Sequence, residues 1–191
     1  MGTPWTDFVE KWKDCTRCPL AQQRDNIVLA RGQIPCDVLF VGEAPGASED
    51  VLGLPFQGPA GKLLDQIIER ALPIGTTYAM TNLVACFPRE AKERGDNEPE
   101  VSEIKACRPR LEEFIRLAQP KLIMRVGVLA QDHCQHDVWG KIQGAQVEDI
   151  VHPAAILRMP LVQKRMATDK VIVVIRTTID KVLKQLPSNS K

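Results

Sequence analysis

Four short, β-branched apolar segments alternate along the chain with segments of helical periodicity. The predicted strands are residues 37–41, 78–84, 122–126 and 147–151. Between them, apolar residues recur at helical spacing in residues 63–72 and 101–117. Strands that alternate with helices usually pair in parallel through crossover connections. The sequence therefore predicts an α/β fold whose parallel sheet has at least four strands.

The remaining segments are less regular. Residues 171–175 are β-branched and resemble a strand, but residues 171–186 as a whole place their apolar side chains on one helical face, so we predict a helix. Residues 88–99 are charged and contain Gly95, and residues 152–160 have prolines near both ends. Both segments are typical of surface excursions.

Composition narrows the class of protein. With 44% hydrophobic residues in 191, the chain suits one compact domain. Its 25 basic and 24 acidic residues exclude nucleic-acid binding through a uniformly basic surface, so any DNA contact must come from a local face. The apolar runs are too short to cross a bilayer, and the start lacks a secretory pattern. We therefore expect a cytoplasmic protein with no membrane partner.

The cysteines are the first candidates for a functional site. Thiols stay reduced in the cytoplasm, so cysteines there more often bind metal or lie buried as thiols than form disulfides. Cys15 and Cys18 form a C-x-x-C pair, while Cys86 and Cys107 lie far downstream. Four thiolates gathered this way make a tetrahedral site, for which zinc and an iron-sulfur cluster compete equally. A redox pair is a third alternative, although the first residues show no βαβ pattern. Cys36 is most simply a buried apolar group.

Two polar residues follow predicted strands and should share one edge of the sheet. Glu43 lies in the turn Gly-Glu-Ala-Pro-Gly at residues 42–46, and His152 follows the fourth strand. The carboxyl ends of parallel strands are where α/β sheets bind ligands. Glu43 could instead only cap the next segment, and a lone histidine is usually structural. Their coincidence at one edge favours a catalytic pair.

Five motifs, in this order, resemble those of the uracil-DNA glycosylase superfamily, specifically its iron-sulfur-containing family 4 branch. They are the four cysteines, residues 42–46, Gly-Leu-Pro-Phe at 53–56, Thr-Asn-Leu-Val at 81–84 and His-Pro-Ala-Ala-Ile-Leu-Arg at 152–158. The resemblance implies a three-layer α/β/α fold around a four-stranded, mainly parallel sheet. It also implies a monomeric hydrolase that cuts the N-glycosidic bond of flipped-out uracil in single- or double-stranded DNA and leaves an abasic site.

By the same resemblance, Glu43 and His152 are the catalytic residues. His152 would donate to uracil O2 and stabilise the leaving base. Glu43 would either orient water or stabilise the cationic sugar, and the sequence does not choose between these roles.

The resemblance implies four base-binding residues. Gly42 belongs to the first turn, Phe56 would stack on uracil, and the Asn82 amide would pair with N3–H and O4. Cytosine reverses that hydrogen-bonding pattern and would leave two groups unpaired. Glu49 would line the pocket near C5 and exclude the methyl group of thymine.

The remaining implied features concern DNA and the cofactor. Leu157 would wedge into the vacated base stack beside Arg158. Residues 158–191 carry eight basic and two acidic residues, which fits either a phosphate-facing surface or a solvated helix. Cys15, Cys18, Cys86 and Cys107 would hold one structural [4Fe-4S] cluster.

The chain also departs from the family pattern. Pro59 replaces a frequent basic residue, and Phe-Pro-Arg-Glu at 87–90 replaces an Arg-Pro-Pro run. Two alternatives therefore stay open: a glycosylase for another deaminated or modified base, and a DNA-binding relative without catalysis. A covalent histidine mechanism is disfavoured, because residues 87–110 contain no histidine.

Overall fold

One five-stranded sheet forms the centre of the computed structural model, which describes residues 2–89, 97–133 and 144–185. Its spatial order is β1-β3-β2-β4-β5, and every neighbouring pair is parallel except the antiparallel β1 and β3. The strands are β1 Arg31–Gly32, β2 Val38–Gly42, β3 Tyr78–Asn82, β4 Leu122–Val126 and β5 Gln146–Ile150.

Helices follow or precede the strands in the alternation that the sequence predicts. They are α1 Pro4–Trp12, α2 Ala47–Leu52, α3 Pro59–Ala71, α4 Val101–Ala118, α5 Val128–His133, α6 Pro153–Leu157 and α7 Leu161–Gln185, with a 3₁₀ turn at Pro19–Gln22. Across the described ranges, no helix has the length and apolarity that a bilayer crossing requires.

The alternation of side chains along β2 divides the core into two layers. Val38 and Phe40 belong to an apolar cluster with residues of α3 and α7, whereas Leu39 and Val41 belong to a second cluster with residues of α1 and α4. Successive strand residues point to opposite faces, so a strand that is buried throughout must be covered on both sides. The result is the three-layer α/β/α arrangement.

The predicted fold class and the four parallel strands are confirmed, as is the helical tail. The predicted count of four strands omits β1, which is only two residues long and has no apolar alternation. The surface excursion expected at residues 152–160 was wrong in part. Pro153 fits the first turn of α6, where its missing N–H is harmless, and Ile156 is buried against the core.

The order of the strands in the sheet predicts where a ligand site forms. The chain runs from β2 to β3 on one side and then to β4 on the other, so the connections diverge between β2 and β4. A crevice forms at such a switch point, outside the carboxyl ends of the strands. Glu43, Asn82, Gly127 and His152 all lie at those ends.

Candidate active site

One cleft of about 420 Å³ opens at the carboxyl edge of the sheet, a size typical of small-molecule sites. Glu43, Phe56, Asn82 and His152 all line it, although they are separated by up to 109 residues in sequence. Glu49 also lines the cleft. The structure therefore brings together the residues that the sequence marks as catalytic and as base-binding.

Gly42 makes the floor of the cleft possible. A β-carbon added there would lie 2.5 Å from Asn82 Oδ1 and 2.6 Å from the Phe56 ring. Both distances are too short for any side chain, so the last residue of β2 must be glycine if the amide and the ring are to meet above it. Gly42 thus acts through the space it leaves open.

Phe56 is held in an unusual backbone conformation. Its φ of 57° lies in the left-handed region, which costs a non-glycine residue of order 1 kcal/mol. Arg31 in β1 donates to Pro55 O at 2.8 Å and to Phe56 O at 3.3 Å. Gly61 lets α3 approach, because a β-carbon there would lie 2.0 Å from Phe56 O. Two hydrogen bonds from β1 and the close approach of α3 therefore fix the backbone that carries the ring.

Glu49 has a second task besides lining the cleft. Its Oε1 accepts hydrogen bonds from the backbone N–H groups of Gln57 at 2.7 Å and Gly58 at 2.8 Å, and its Oε2 accepts one from Gly46 N–H at 3.1 Å. The carboxylate therefore ties the turn after β2 to the loop that carries Phe56. This makes the Glu49 side chain a rigid part of the wall.

The Asn82 side chain is 3% exposed, yet its amide hydrogen-bonds no side chain or backbone group among the described residues. The amide is nevertheless not among the fully buried polar atoms that lack a partner, so the small exposed part of Asn82 includes the amide itself. The Asn82 amide lies at the cleft, so a ligand can supply both missing partners. This arrangement is what a hydrogen-bonding recognition group requires.

Gly127, just after β4, allows Glu43 and His152 to approach each other. A β-carbon at Gly127 would lie 2.6 Å from Glu43 Oε1 and 3.1 Å from His152 Cβ. The φ of Gly127 is +93°, a conformation that residues with side chains rarely adopt. The carboxylate and the imidazole therefore both pack against the bare backbone of Gly127, where a β-carbon would otherwise lie.

Burial sets the protonation of both groups. Desolvation raises the pKa of Glu43 to about 6, and Glu98 adds to the effect, while the Leu129 backbone N–H and Arg158 partly offset it. Burial also lowers the pKa of His152, with a further contribution from Arg158. Near neutral pH the site therefore holds an ionised carboxylate and a neutral imidazole.

The tautomer of His152 follows from its position as the N-cap of α6. His152 Nδ1 accepts a hydrogen bond from Ala154 N–H at 3.1 Å. In a neutral imidazole with Nδ1 as acceptor, the proton lies on Nε2. His152 can thus donate one hydrogen bond through Nε2.

The residues expected to engage DNA differ in exposure. Arg158 is exposed and close enough to influence both Glu43 and His152. Leu157 is half-buried and packs against the core, so it is less free than the expected wedge. On α7, Arg176 donates to Ala71 O at 3.5 Å and to Arg70 O. One of the eight basic residues in the segment 158–191 is therefore bonded to the end of α3.

The loop after Cys86 is anchored at its start. Arg89 donates to Asp50 at 2.5 Å and also pairs with Asp25. Asp50 is 1% exposed and also accepts from the backbone N–H of Asp25 and of Asn26. The departure from the family pattern at Arg89 therefore provides an ion pair to α2. Residues 90–96 lie outside the described part of the chain.

A second, smaller cavity brings the four marked cysteines together. Cys15, Cys18, Cys86 and Cys107 all line it. Burial raises the pKa of the Cys86 thiol to about 11 and also raises the pKa of Cys18. Within the described ranges, no three or more His, Cys, Asp or Glu side chains are grouped closely enough to hold one metal ion. A four-iron cluster is wider than one ion, because each cysteine binds a different iron.

Three basic residues also line the cysteine cavity, namely Arg17, Arg24 and Arg110. Arg24 donates to Cys86 Sγ at 3.3 Å and to Cys15 O at 2.7 Å. Cations around thiols favour the thiolate form that iron requires. Thiols and cations of this kind fit an anionic iron-sulfur group. Cys36 is buried outside this cavity, and burial raises its thiol pKa to about 12.

Sequence reasoning missed Arg31, Gly61, Arg110 and Gly127. Gly127 follows a predicted strand directly, in the same way as Glu43 and His152, and could have been found on that ground. Arg110 falls on the apolar face of a predicted helix, where a charge is unexpected. Arg31 and Gly61 carry no comparable signal, because their importance comes from a loop that contacts them only in the fold.

Comparison with known proteins agrees with this geometry. The profile described as the uracil DNA glycosylase superfamily matches residues 30–175. A type-4 uracil-DNA glycosylase from Pyrobaculum aerophilum is 35% identical over 174 residues, which cover 82% of this chain and 86% of that protein. Another from Saccharolobus solfataricus is 32% identical over 180 residues, 85% of this chain and 81% of that protein.

A third relative, a type-4 uracil-DNA glycosylase from Sulfurisphaera tokodaii, is 40% identical over 126 residues. That alignment covers 63% of this chain and 55% of the relative. The fold and the cleft define an α/β protein with a recognition pocket at the carboxyl edge of its sheet. The chain belongs to the uracil DNA glycosylase superfamily, and its relatives place it in the type-4 branch.

Proposed function

We propose that this protein hydrolyses the N-glycosidic bond of uracil in DNA and leaves an abasic site. The observation that carries the proposal is the Asn82 amide, which is nearly buried at the cleft and lacks a partner among the described residues. The relatives from three organisms are uracil-DNA glycosylases by name, which supports the same activity here. Uracil in DNA, single- or double-stranded, is the substrate.

Recognition begins when the base leaves the helix, because a stacked base is out of reach of the cleft. Phe56 then stacks on the base, and the Asn82 amide accepts from N3–H and donates to O4. Cytosine presents the reverse pattern and leaves both groups unpaired, at about 1 to 3 kcal/mol each. Glu49 stands near C5, where its backbone hydrogen bonds keep the wall from yielding to a methyl group.

Cleavage leaves negative charge on the base and positive charge on the sugar. The Nε2–H of neutral His152 can donate to uracil O2 and stabilise the departing anion. The Glu43 carboxylate is ionised above a pH of about 6 and can face the sugar. There it either orients the attacking water or stabilises the oxocarbenium ion.

The cysteine cavity fits a structural [4Fe-4S] cluster held by Cys15, Cys18, Cys86 and Cys107. When bound, such a cluster supplies cross-linking energy that joins the N-terminal segment to α4 and to the chain after β3. Arg158, exposed beside the cleft, is our proposed contact to a DNA phosphate, and Leu157 lies next to it at the point where an extruded base leaves a gap.

The test is a single-turnover base-release assay on oligonucleotides that differ only in one base. Wild-type protein should release uracil, and Asn82→Ala should lower kcat/KM for uracil by about 10² to 10⁴ because two hydrogen bonds are lost. Gln66→Ala, which removes an exposed amide from α3, is the matched control and should keep the wild-type rate.

Two results would replace this proposal. Release of hypoxanthine or a modified pyrimidine in preference to uracil would assign another base to the same cleft. Retarded migration of uracil-containing DNA in a gel, without base release at any protein excess, would make the chain a binding protein that lacks catalysis.

A further inference from the structure

Arg110 is a buried cation that forms no ion pair with a carboxylate among the described residues. The side chain is 1% exposed in the middle of α4. Its hydrogen bonds go to neutral oxygens only: Thr81 Oγ1 at 2.9 Å, Asn82 O at 2.6 Å, Leu83 O at 3.1 Å and Leu29 O at 3.5 Å. Among the residues with assigned structure, no carboxylate lies within ion-pair distance of it.

A buried guanidinium without an anion is expensive, since burial removes its hydration. Carbonyl oxygens replace part of that hydration, but the Nε–H of Arg110 is buried and has no acceptor. Native structures rarely leave such a donor unsatisfied, so it calls for a group that the protein atoms do not provide. The compensating group should be anionic and adjacent.

The cysteine cavity supplies the place for that anion. Arg110 lines it together with Cys15, Cys18, Cys86 and Cys107, and Cys107 lies one helical turn before Arg110. Four thiolates around an iron-sulfur cluster carry a net negative charge. Arg24, the other cavity arginine with a thiol contact, is only half-buried and can keep water around part of its charge.

The other end of the same guanidinium supports the base-reading residue. Its Nη2 donates to the carbonyls of Asn82 and Leu83, where β3 ends, and its Nη1 donates to Thr81 within β3. The amide of Asn82 is therefore presented by a backbone that Arg110 fixes from behind. A displacement of about 1 Å at such a position is enough to weaken recognition strongly.

We propose that Arg110 is the buried counter-charge of the four-cysteine iron-sulfur group and, through the same guanidinium, the positioning residue for Asn82. Occupancy of the cysteine cavity and recognition of uracil are thereby coupled through one side chain. This inference rests on the proposed function and on the proposed cluster, and it assigns a role to Arg110, which touches neither the base nor the sugar.

Three substitutions in the cluster-containing protein separate the two roles. Arg110→Gln removes both the charge and most of the donors. Arg110→Lys keeps the charge but cannot reach the hydroxyl and both carbonyls at once, since a lysine lacks the planar fork. Arg24→Gln removes a cavity charge that does not contact β3. Arg116→Gln, an exposed position on α4, is the control.

Two measurements are made on each variant: the midpoint potential of the cluster, and the affinity for an oligonucleotide with a non-hydrolysable 2′-fluoro-deoxyuridine relative to the cytosine analogue. We expect Arg110→Gln to shift the potential to more negative values and to lower the preference for uracil at least tenfold. Arg110→Lys should keep the potential and lose the preference. Arg24→Gln should shift the potential and keep the preference, and Arg116→Gln should change neither.

A folded Arg110→Gln protein with both values unchanged, or with only one of them changed, would overturn the inference. If that variant loses its cluster or does not fold, Arg110→Lys decides, because wild-type preference in the lysine variant contradicts the positioning role. The proposed function fails in a different way, namely if wild-type protein releases no uracil, whereas the potentials still test the counter-charge.

Discussion

Replacing Glu43 by glutamine should abolish base release and at the same time stabilise the protein. The half-buried carboxylate lies beside Gly127, and desolvation raises its pKa to about 6 from an ordinary value of 4.5. The folded protein therefore holds this proton more tightly than the unfolded chain. As pH rises from about 4.5 to about 6, the unfolded chain loses this proton before the folded protein does. The free energy of unfolding therefore falls over this pH range.

The magnitude follows from the two pKa values. Their difference corresponds to about 2 kcal/mol by which ionised Glu43 destabilises the fold above a pH of about 7. Partial access of water to the carboxylate lowers the expected gain of the neutral Glu43→Gln variant to about 1 to 2 kcal/mol. For a chain of this length, that gain raises Tm by about 2 to 8 °C.

The assay is thermal unfolding of wild type and Glu43→Gln at pH 8 and at pH 5, with single-turnover base release at pH 8. The stabilisation should be large at pH 8 and shrink towards pH 5, while base release is lost at pH 8. Glu69→Gln, at an exposed position on α3, controls for the change of charge and should have almost no effect on Tm. A Glu43→Gln protein that is less stable than wild type at pH 8, or equally stabilised at both pH values, would refute the electrostatic reasoning.

Three further substitutions test other parts of the site. Glu49→Gly should relax the exclusion of thymine, because the wall near C5 is lost, whereas Glu49→Gln should retain it; unchanged discrimination between uracil and thymine in base release would contradict this. Cys86→Ala should lose the brown chromophore and lower Tm, while Cys36→Ala should keep the iron, and a colourless wild-type protein with one zinc per chain would overturn the cluster assignment. Gly127→Ala should lower kcat/KM by at least about 10², since its β-carbon would displace Glu43 Oε1. Gly75 also has a positive φ but has open space around it, so Gly75→Ala should leave kcat/KM unchanged. Equal effects of the two substitutions would show that only backbone strain matters.

The positions of Glu43 and His152 could be predicted from the sequence because they depend on local patterns. Each follows a short apolar segment that reads as a strand, and the carboxyl ends of parallel strands must meet at one edge. Asn82 was found through resemblance to a family, since a strand-end asparagine alone gives little indication of its role. The cysteine set was also chosen by resemblance, because spacing left zinc and an iron-sulfur cluster open.

Glu49 shows where local reasoning stops. Its place near the base was expected, but its hydrogen bonds to Gln57 and Gly58 depend on how the following loop folds back. Leu157 shows the same limit in reverse: the motif predicts a wedge, while packing against the core leaves the side chain half-buried.

The sequence by itself determined the alternation of strands and helices in a parallel α/β sheet and the edge at which the site forms, because hydrophobic periodicity and turn residues act over a few neighbouring positions. Only the tertiary structure decided that Gly127 leaves room for Glu43 and His152, that Arg31 and Gly61 fix Phe56, and that Arg110 joins Asn82 to the cysteine cavity. Close approach and the compensation of buried charge depend on distances between residues far apart in the chain, and those distances exist only once the layers have packed.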